Sequence, residues 1–172
     1  MNMTIRLARH ADAAALPAIE RSAAGLFRLD PQLAWLADAE VADADLHCQA
    51  IEQARVWVAE HVDGQLSGFL RAVTLDNQLH IEELSVSRHF QGQGIGRKLL
   101  SAAIEHARAQ QLCAVTLTTF ADLPWNAPFY QKTGFQRLNS EATSGYLVDA
   151  LNEEIAQGLP GHRRCAMRLT LP

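Results

Sequence analysis

The chain lacks any apolar run approaching the roughly 18 residues that a membrane-spanning helix needs. Its start, MNMTIRLARHADAAAL, has neither the basic flank nor the unbroken apolar stretch of a signal peptide, so a cytoplasmic protein with no membrane partner is expected. Cysteine is scarce: Cys48, Cys113 and Cys165 are odd in number, far apart and without a C-x-x-C pair, which excludes a disulfide framework or a zinc ribbon. Three reduced, mostly buried thiols and no metal are the expectation. An excess of positive charge is also missing. Fifteen Lys and Arg against 19 Asp and Glu leave a net charge of -4, so no field favours a phosphate backbone and no nucleic-acid partner is expected. What is present is 172 residues, 48% hydrophobic and 20% charged, enough for one folded domain over residues 1–172 with a core of its own.

Residues 4–8 read as a strand, and Asp12 as the N-cap of a helix carrying Ala15, Leu16, Ile19 and Ala23 at helical spacing. Residues 26–42, with Phe27, Pro31 and Trp35, show no clean period and suit a substrate wall; a short helix over about 43–53 follows. Three strand-like runs at 56–62, 67–75 and 79–87, divided by Asp63-Gly64 and Asp76-Asn77-Gln78, predict an antiparallel meander. From Arg97, Leu99, Leu100, Ala103, Ile104 and Ala107 form one helical face, which ends near Gln111. Residues 114–120 (AVTLTTF) are rich in β-branched residues, so 79–120 reads as strand, turn, helix and parallel strand. A short helix begins at Asn126 or Ala127 and stops at Gly134, another covers about 146–156, and a last strand covers 163–171. Arg163, Arg164 and Arg168 read as charges guarding the edge of that strand.

The sharpest motif is Gln91-Gly92-Gln93-Gly94-Ile95-Gly96, between a strand and a helix. Alternating glycines let backbone N–H groups converge on an anion, and the helix N-terminus adds its dipole, which together make a diphosphate cradle. Glycines at 92, 94 and 96 do not fit G-x-G-x-x-G, and no G-K-[ST] follows, so neither a dinucleotide fold nor a Walker loop is indicated. Taken alone, glycines that merely turn the chain are an equal reading. His80-Ile81-Glu82 matches the H-x-E of zinc deaminases, but the P-C-x-x-C that must accompany it is missing.

The strand Leu79-His80-Ile81-Glu82-Glu83-Leu84-Ser85-Val86, the Q-x-x-G-x-G element at Gln91, and Asn126-Ala127-Pro128-Phe129-Tyr130 running to Gly134-Phe135 together resemble the GNAT superfamily of N-acetyltransferases. The resemblance covers about residues 79–135. It implies an α/β fold: a mixed, mostly antiparallel sheet, flanked by helices, whose parallel central strands splay around acetyl-CoA. It further implies that the backbone of Leu84, Ser85 and Val86 binds the pantetheine arm, and that Gln91, Gly92, Gln93, Gly94, Ile95, Gly96 and Arg97 bind the diphosphate. Phe129 and Asn126 are implied as cofactor contacts, although Asn126 serves equally well as a helix cap, and Tyr130 as the acid that protonates the departing thiolate.

Acyl transfer from a thioester to an amine needs a neutral amine, donors for the oxyanion and an acid for sulfur, and positioning supplies much of the rate. Tyr130 offers a phenol of suitable acidity, with a satisfied buried Tyr as the alternative. For the base, strand alternation puts His80 and Glu82 on one face and Glu83 on the other. Glu82 is favoured, acting through a water, because it lies one pleat before Leu84. The competing reading pairs it only with His80, and Glu83, His80 or water alone remain open as the base. The expected function is transfer of an acetyl group from acetyl-CoA to a primary amine of a small molecule, by direct attack in a ternary complex, in a monomer or homodimer. The alternatives are a non-catalytic acyl-CoA-binding module and a protein or peptide N-acetyltransferase.

Overall fold

The structure is a computed structural model and describes residues 2–53 and 55–172. Its sheet holds β1 (Met3–Leu7), β2 (Val56–His61), β3 (Leu66–Leu75), β4 (Gln78–Val86), β5 (Ala114–Phe120), β6 (Gln136–Arg137) and β7 (Arg164–Thr170), in the order β1-β2-β3-β4-β5-β7-β6. The helices are α1 (Leu16–Ala24), α2 (Ala44–Glu52), α3 (Ile95–Ala109), α4 (Ala127–Lys132) and α5 (Tyr146–Ala156). The β1/β2, β2/β3, β5/β7 and β6/β7 pairs are antiparallel. β4 and β5 are parallel, and their ladder covers only the first three residues of each, Gln78–His80 against Ala114–Thr116. A short parallel centre in a mostly antiparallel sheet is the expected architecture.

The chain divides into two compact units, each discontinuous in sequence: Met1–Ala72 with Glu83–Ala103, and Val73–Glu82 with Ile104–Pro172. In the first, the run Val56, Trp57, Val58, Ala59 is buried on both faces, and Leu16 and Ile19 of α1 join Val56, Val58, Phe69, Ile51 and Ala13 in one core cluster. Asp43, the first residue of the expected helix, stands just before α2 and caps it by accepting the Leu46 N–H at 2.9 Å. Asp12 is a correction. It stands three residues inside a 3₁₀ turn capped by Arg9, accepts the Arg9 N–H at 2.7 Å and binds the Arg6 guanidinium through both oxygens, because a short turn precedes α1. Gly68 is required by close approach: a Cβ there would lie 2.9 Å from the Ser85 carbonyl oxygen of β4 and 3.2 Å from Leu99.

In the second unit, Asp76 (φ 49°) and Asn77 (φ 60°) are both left-handed and reverse the chain into β4 in two residues. Leu117 and Met167, paired in register across β5 and β7, are buried, and α5 lies over those strands with Leu147 buried. β7 is an interior strand between β5 and β6, so the edge-guarding reading of its arginines is overturned. Arg163 instead binds the Asp122 carboxylate at 3.0 Å, and Arg164 binds Glu154 at 3.0 Å while lying 4.5 Å above the centre of the Phe120 ring. The second strand edge is the two-residue β6, too short to leave a periodic signal. The thiols are free as expected, but Cys113 is exposed and Cys48 half-buried, leaving only Cys165 buried.

Candidate active site

In the first unit, β4 runs into the glycine loop and then α3, which begins at Ile95, two residues before the apolar periodicity suggests. Gln91 ties the loop back: its amide nitrogen donates to the Val86 carbonyl at 2.8 Å. Gly92 (φ 79°) and Gly94 (φ 83°) occupy the left-handed region, where a side chain would be strained, and nothing lies within 4 Å of where a Cβ would project. Gly92, Gln93, Gly94 and Arg97 are exposed, Gly96 is half-buried, and Ile95 is driven into the core. An open, glycine-lined backbone ahead of a 15-residue helix fits an anion such as a diphosphate. Leu84 and Val86 are half-buried and Ser85 is buried, its hydroxyl donating to Glu83 Oε1 at 2.9 Å.

Glu83 belongs to a cluster that sequence reasoning did not assemble. Burial and the nearby Glu83 carboxylate push Glu20 of α1 up to about 7, opposed by Arg71 and by a backbone hydrogen bond from Ala42. His47 of α2 is fully buried, with Nε2 3.8 Å from Glu20 Oε1 and Nδ1 3.4 Å from Arg71 Nη1. Burial and then Arg71 hold this imidazole at about 4, so it is neutral at pH 7. No motif announces the cluster, because its members come from α1, α2, β3 and β4.

In the second unit, His80 sits on the last rung of the β4/β5 ladder, opposite Thr116. Its Nδ1 lies 3.0 Å from Thr116 Oγ1, which lies 2.6 Å from the Tyr146 hydroxyl, and that hydroxyl donates to Gln78 Oε1 at 3.3 Å. The Gln78 carbonyl only accepts, so each donor points toward it and His80 carries its proton on Nδ1. Burial lowers His80 to about 4 and raises Tyr146 above the usual phenol range. The His80 and Tyr146 rings meet edge to face at 5.2 Å. His80 therefore turns toward Thr116, while Glu82, two residues on, is exposed.

Tyr130 is buried on α4, between Phe129 at 5.1 Å and Phe135 at 5.7 Å, both edge to face. Phe129 is half-buried. Asn126 occupies the N-cap position of α4, and its side chain makes no capping hydrogen bond there. Gly134 (φ 105°) ends the helix as its position suggests. A cavity of about 680 Å³ in this unit is lined by Arg137, Asn139, Val148, Leu151, Ile155 and Arg164, and none of the expected site residues borders it. Among the described residues no cluster of three His, Cys, Asp or Glu could hold a metal, and no helix is long and apolar enough to cross a membrane.

Comparison with known proteins agrees with the fold and the motifs. The family model described as Acetyltransferase (GNAT) family matches residues 22–135. The chain is similar to an N-acetylaspartate synthetase of Danio rerio, 31% identical over 101 residues, covering 58% of this chain and 36% of that protein. It is also similar to a probable N-acetyltransferase, camello, of Xenopus tropicalis, 32% identical over 93 residues, covering 52% and 42%. The match thus spans well under half the length of either relative. Among solved structures, the PaiA N-acetyltransferase of Thermoplasma acidophilum in complex with coenzyme A superposes with a TM-score of 0.70 at 16% identity, over 99% of this chain and 100% of the other.

Proposed function

The chain belongs to the acetyltransferase (GNAT) family, and from that premise we propose that it transfers the acetyl group of acetyl-CoA to a primary amine of a small molecule, by direct attack in a ternary complex. The observation that carries the reading is the open loop at Gly92 and Gly94, pinned to the end of β4 by Gln91 and followed at once by α3. Its backbone N–H groups, with those of Ile95 to Arg97, are suited to the diphosphate, and the β4 backbone at Leu84 to Val86 to the pantetheine arm. Asn126 and Phe129 are likewise assigned to the cofactor.

Acetyl-CoA, when bound, supplies the activated thioester. Tyr130 gives a proton to sulfur as the carbon–sulfur bond breaks, its phenol held in place by Phe129 and Phe135. Glu82, exposed and thus open to a water, takes the proton the amine nitrogen sheds. A second reading gives that task to Glu83, favoured by its hydrogen bond from Ser85 and its place beside Glu20. Phe27 and the half-exposed Trp35, in the turns between α1 and α2, form the proposed acceptor wall.

The test is release of free thiol from acetyl-CoA across a panel of amines, amino acids and peptides. Tyr130→Phe should lower kcat and kcat/KM together by about 10²- to 10⁴-fold with CoA affinity retained. Gly94→Val should abolish the thermal stabilisation by CoA, and loss of the acidic limb of the pH profile in Glu82→Gln or in Glu83→Gln decides between the two carboxylates. CoA binding without turnover of any amine identifies an acyl-CoA-binding module, and a strong preference for peptides identifies a protein acetyltransferase.

A further inference from the structure

The cavity of about 680 Å³ beside α5 is bordered by none of the residues assigned to acetyl transfer. Its long wall is a second apolar face of α5. Leu147 is buried, whereas Val148, Leu151 and Ile155, at helical spacing, line the cavity, with Val148 37% and Ile155 49% exposed. That stripe runs about 10 Å along the helix at a rise of about 1.5 Å per residue. Ala166 and Cys165 of β7, both buried, complete the apolar lining. Gly161 packs tightly on the wall, since a Cβ there would lie 2.8 Å from Ile155 Cδ1. The polar groups of the 139–143 turn are spent on the turn itself: Asn139 Oδ1 accepts the Ala142 N–H at 2.8 Å, and Thr143 Oγ1 donates to the Asn139 carbonyl at 2.7 Å.

Charge in the lining is one-sided: it includes Arg137 and Arg164 and no Asp or Glu. Arg164 is committed to Glu154 at 3.0 Å and to the face of Phe120. Arg137 stands opposite Met167 in the β6/β7 ladder, on the same sheet face as Cys165 two residues along β7. It is exposed, and its guanidinium has no hydrogen bond or ion pair among the described residues. Glu141, Asp149 and Glu153 are exposed as well and do not border the cavity. A guanidinium without a counter-ion beside an aliphatic wall suits a ligand with one carboxylate, which its planar fork matches, and an apolar tail. We infer that this cavity binds a medium-chain aliphatic monocarboxylate, its head on Arg137 and its tail along Val148, Leu151 and Ile155. No second uncommitted cation lines the cavity to hold a dianion, and no aromatic residue lines it to stack on a ring. The site is independent of the acetyl-transfer reading, because it shares no residue with it.

Titration calorimetry of the full chain with sodium octanoate, in the presence of excess CoA so that the donor site is already filled, tests the inference. One equivalent should bind saturably with a Kd of about 0.1–1 mM, the range open to so small a ligand. Hexanoate should bind about 4- to 16-fold more weakly, because each buried methylene is worth about a factor of two to four. Octylammonium has the same tail and the opposite charge, and should bind at least about tenfold more weakly than octanoate. Arg137→Gln should weaken octanoate about tenfold and leave 1-octanol unchanged, whereas Ile155→Ser should weaken both. Both side chains reach solvent, so the variants should fold, which circular dichroism checks; the comparison of octanoate with octylammonium needs no variant. Absence of saturable octanoate binding below about 10 mM, equal binding of octylammonium, or undiminished octanoate binding in folded Arg137→Gln overturns the inference. So does a wild-type dimer, seen by sedimentation, that Ile155→Ser dissolves, since this face would then be an interface between copies of the chain.

Discussion

Replacing Thr116 with Val tests whether the polar chain at the base of β4 and β5 is a stabilising unit. Thr116 is fully buried and is hydrogen-bonded on one side to His80 Nδ1 at 3.0 Å and on the other to the Tyr146 hydroxyl at 2.6 Å. Valine has nearly the same shape, so no cavity opens and the loss is confined to hydrogen bonding. Tyr146 retains Gln78 at 3.3 Å, but the His80 Nδ1–H, buried with its ring against Tyr146, loses its acceptor. Orphaning that donor costs about 1–3 kcal/mol, and the severed Thr116–Tyr146 bond adds about 1 kcal/mol, a total of about 2–4 kcal/mol. For a chain of this size each kcal/mol lowers Tm by about 2–4 °C, so a fall of roughly 6–12 °C is expected near the middle of that range. Urea unfolding followed by tryptophan fluorescence gives the free energy directly. A variant within about 0.5 kcal/mol of wild type would refute the donor chain and with it the tautomer assigned to His80.

Gly68→Ala should cost about 1–3 kcal/mol, because its Cβ would lie 2.9 Å from the Ser85 carbonyl oxygen and one of the strands must move. Since that carbonyl lies in the stretch assigned to the pantetheine arm, CoA affinity should fall as well; wild-type stability and affinity in the variant would contradict the close approach. Acid stability follows from His47 and His80, both held at about 4 by burial against 6.5 in the unfolded chain. The unfolded state binds their protons first, so the stability they provide is complete above about pH 6.5 and is lost as pH falls toward 4. Glu20, raised from 4.5 to about 7, acts with the opposite sign, since its contribution is largest at low pH and declines as pH rises through that window. Glu20→Gln should therefore steepen the gain in stability from pH 4.5 to 6.5 and His80→Gln should flatten it, both read from urea midpoints; unchanged slopes would refute the two assignments.

Much of this fold is legible in local residue chemistry. β5 and α5 follow from the β-branched run 114–120 and the helical stretch 146–156, and the reversal before β4 from Asp76-Asn77. The glycine loop is legible for the same reason: its left-handed backbone needs the freedom that glycine at 92 and 94 declares in the sequence. Where a choice depended on neighbours distant in the chain, local reading failed. Arg164 looks like the guard of an open edge until β6 covers β7 and Glu154 reaches it from α5. Asp12 looks like a cap until Arg6 claims it. His80 and Glu82 share a strand face by alternation, yet Thr116 and Tyr146 take the histidine inward and leave the glutamate exposed. Likewise, nothing within a few residues of Glu20 marks it; its raised pKa needs burial and a carboxylate 63 positions away. Sequence by itself determined most of the longer elements, the turns and the glycine loop, because backbone propensity and periodicity are local properties. Tertiary structure alone decided which titratable side chains meet and in what protonation state, because charge burial and hydrogen-bond pairing are set by segments that only folding brings together.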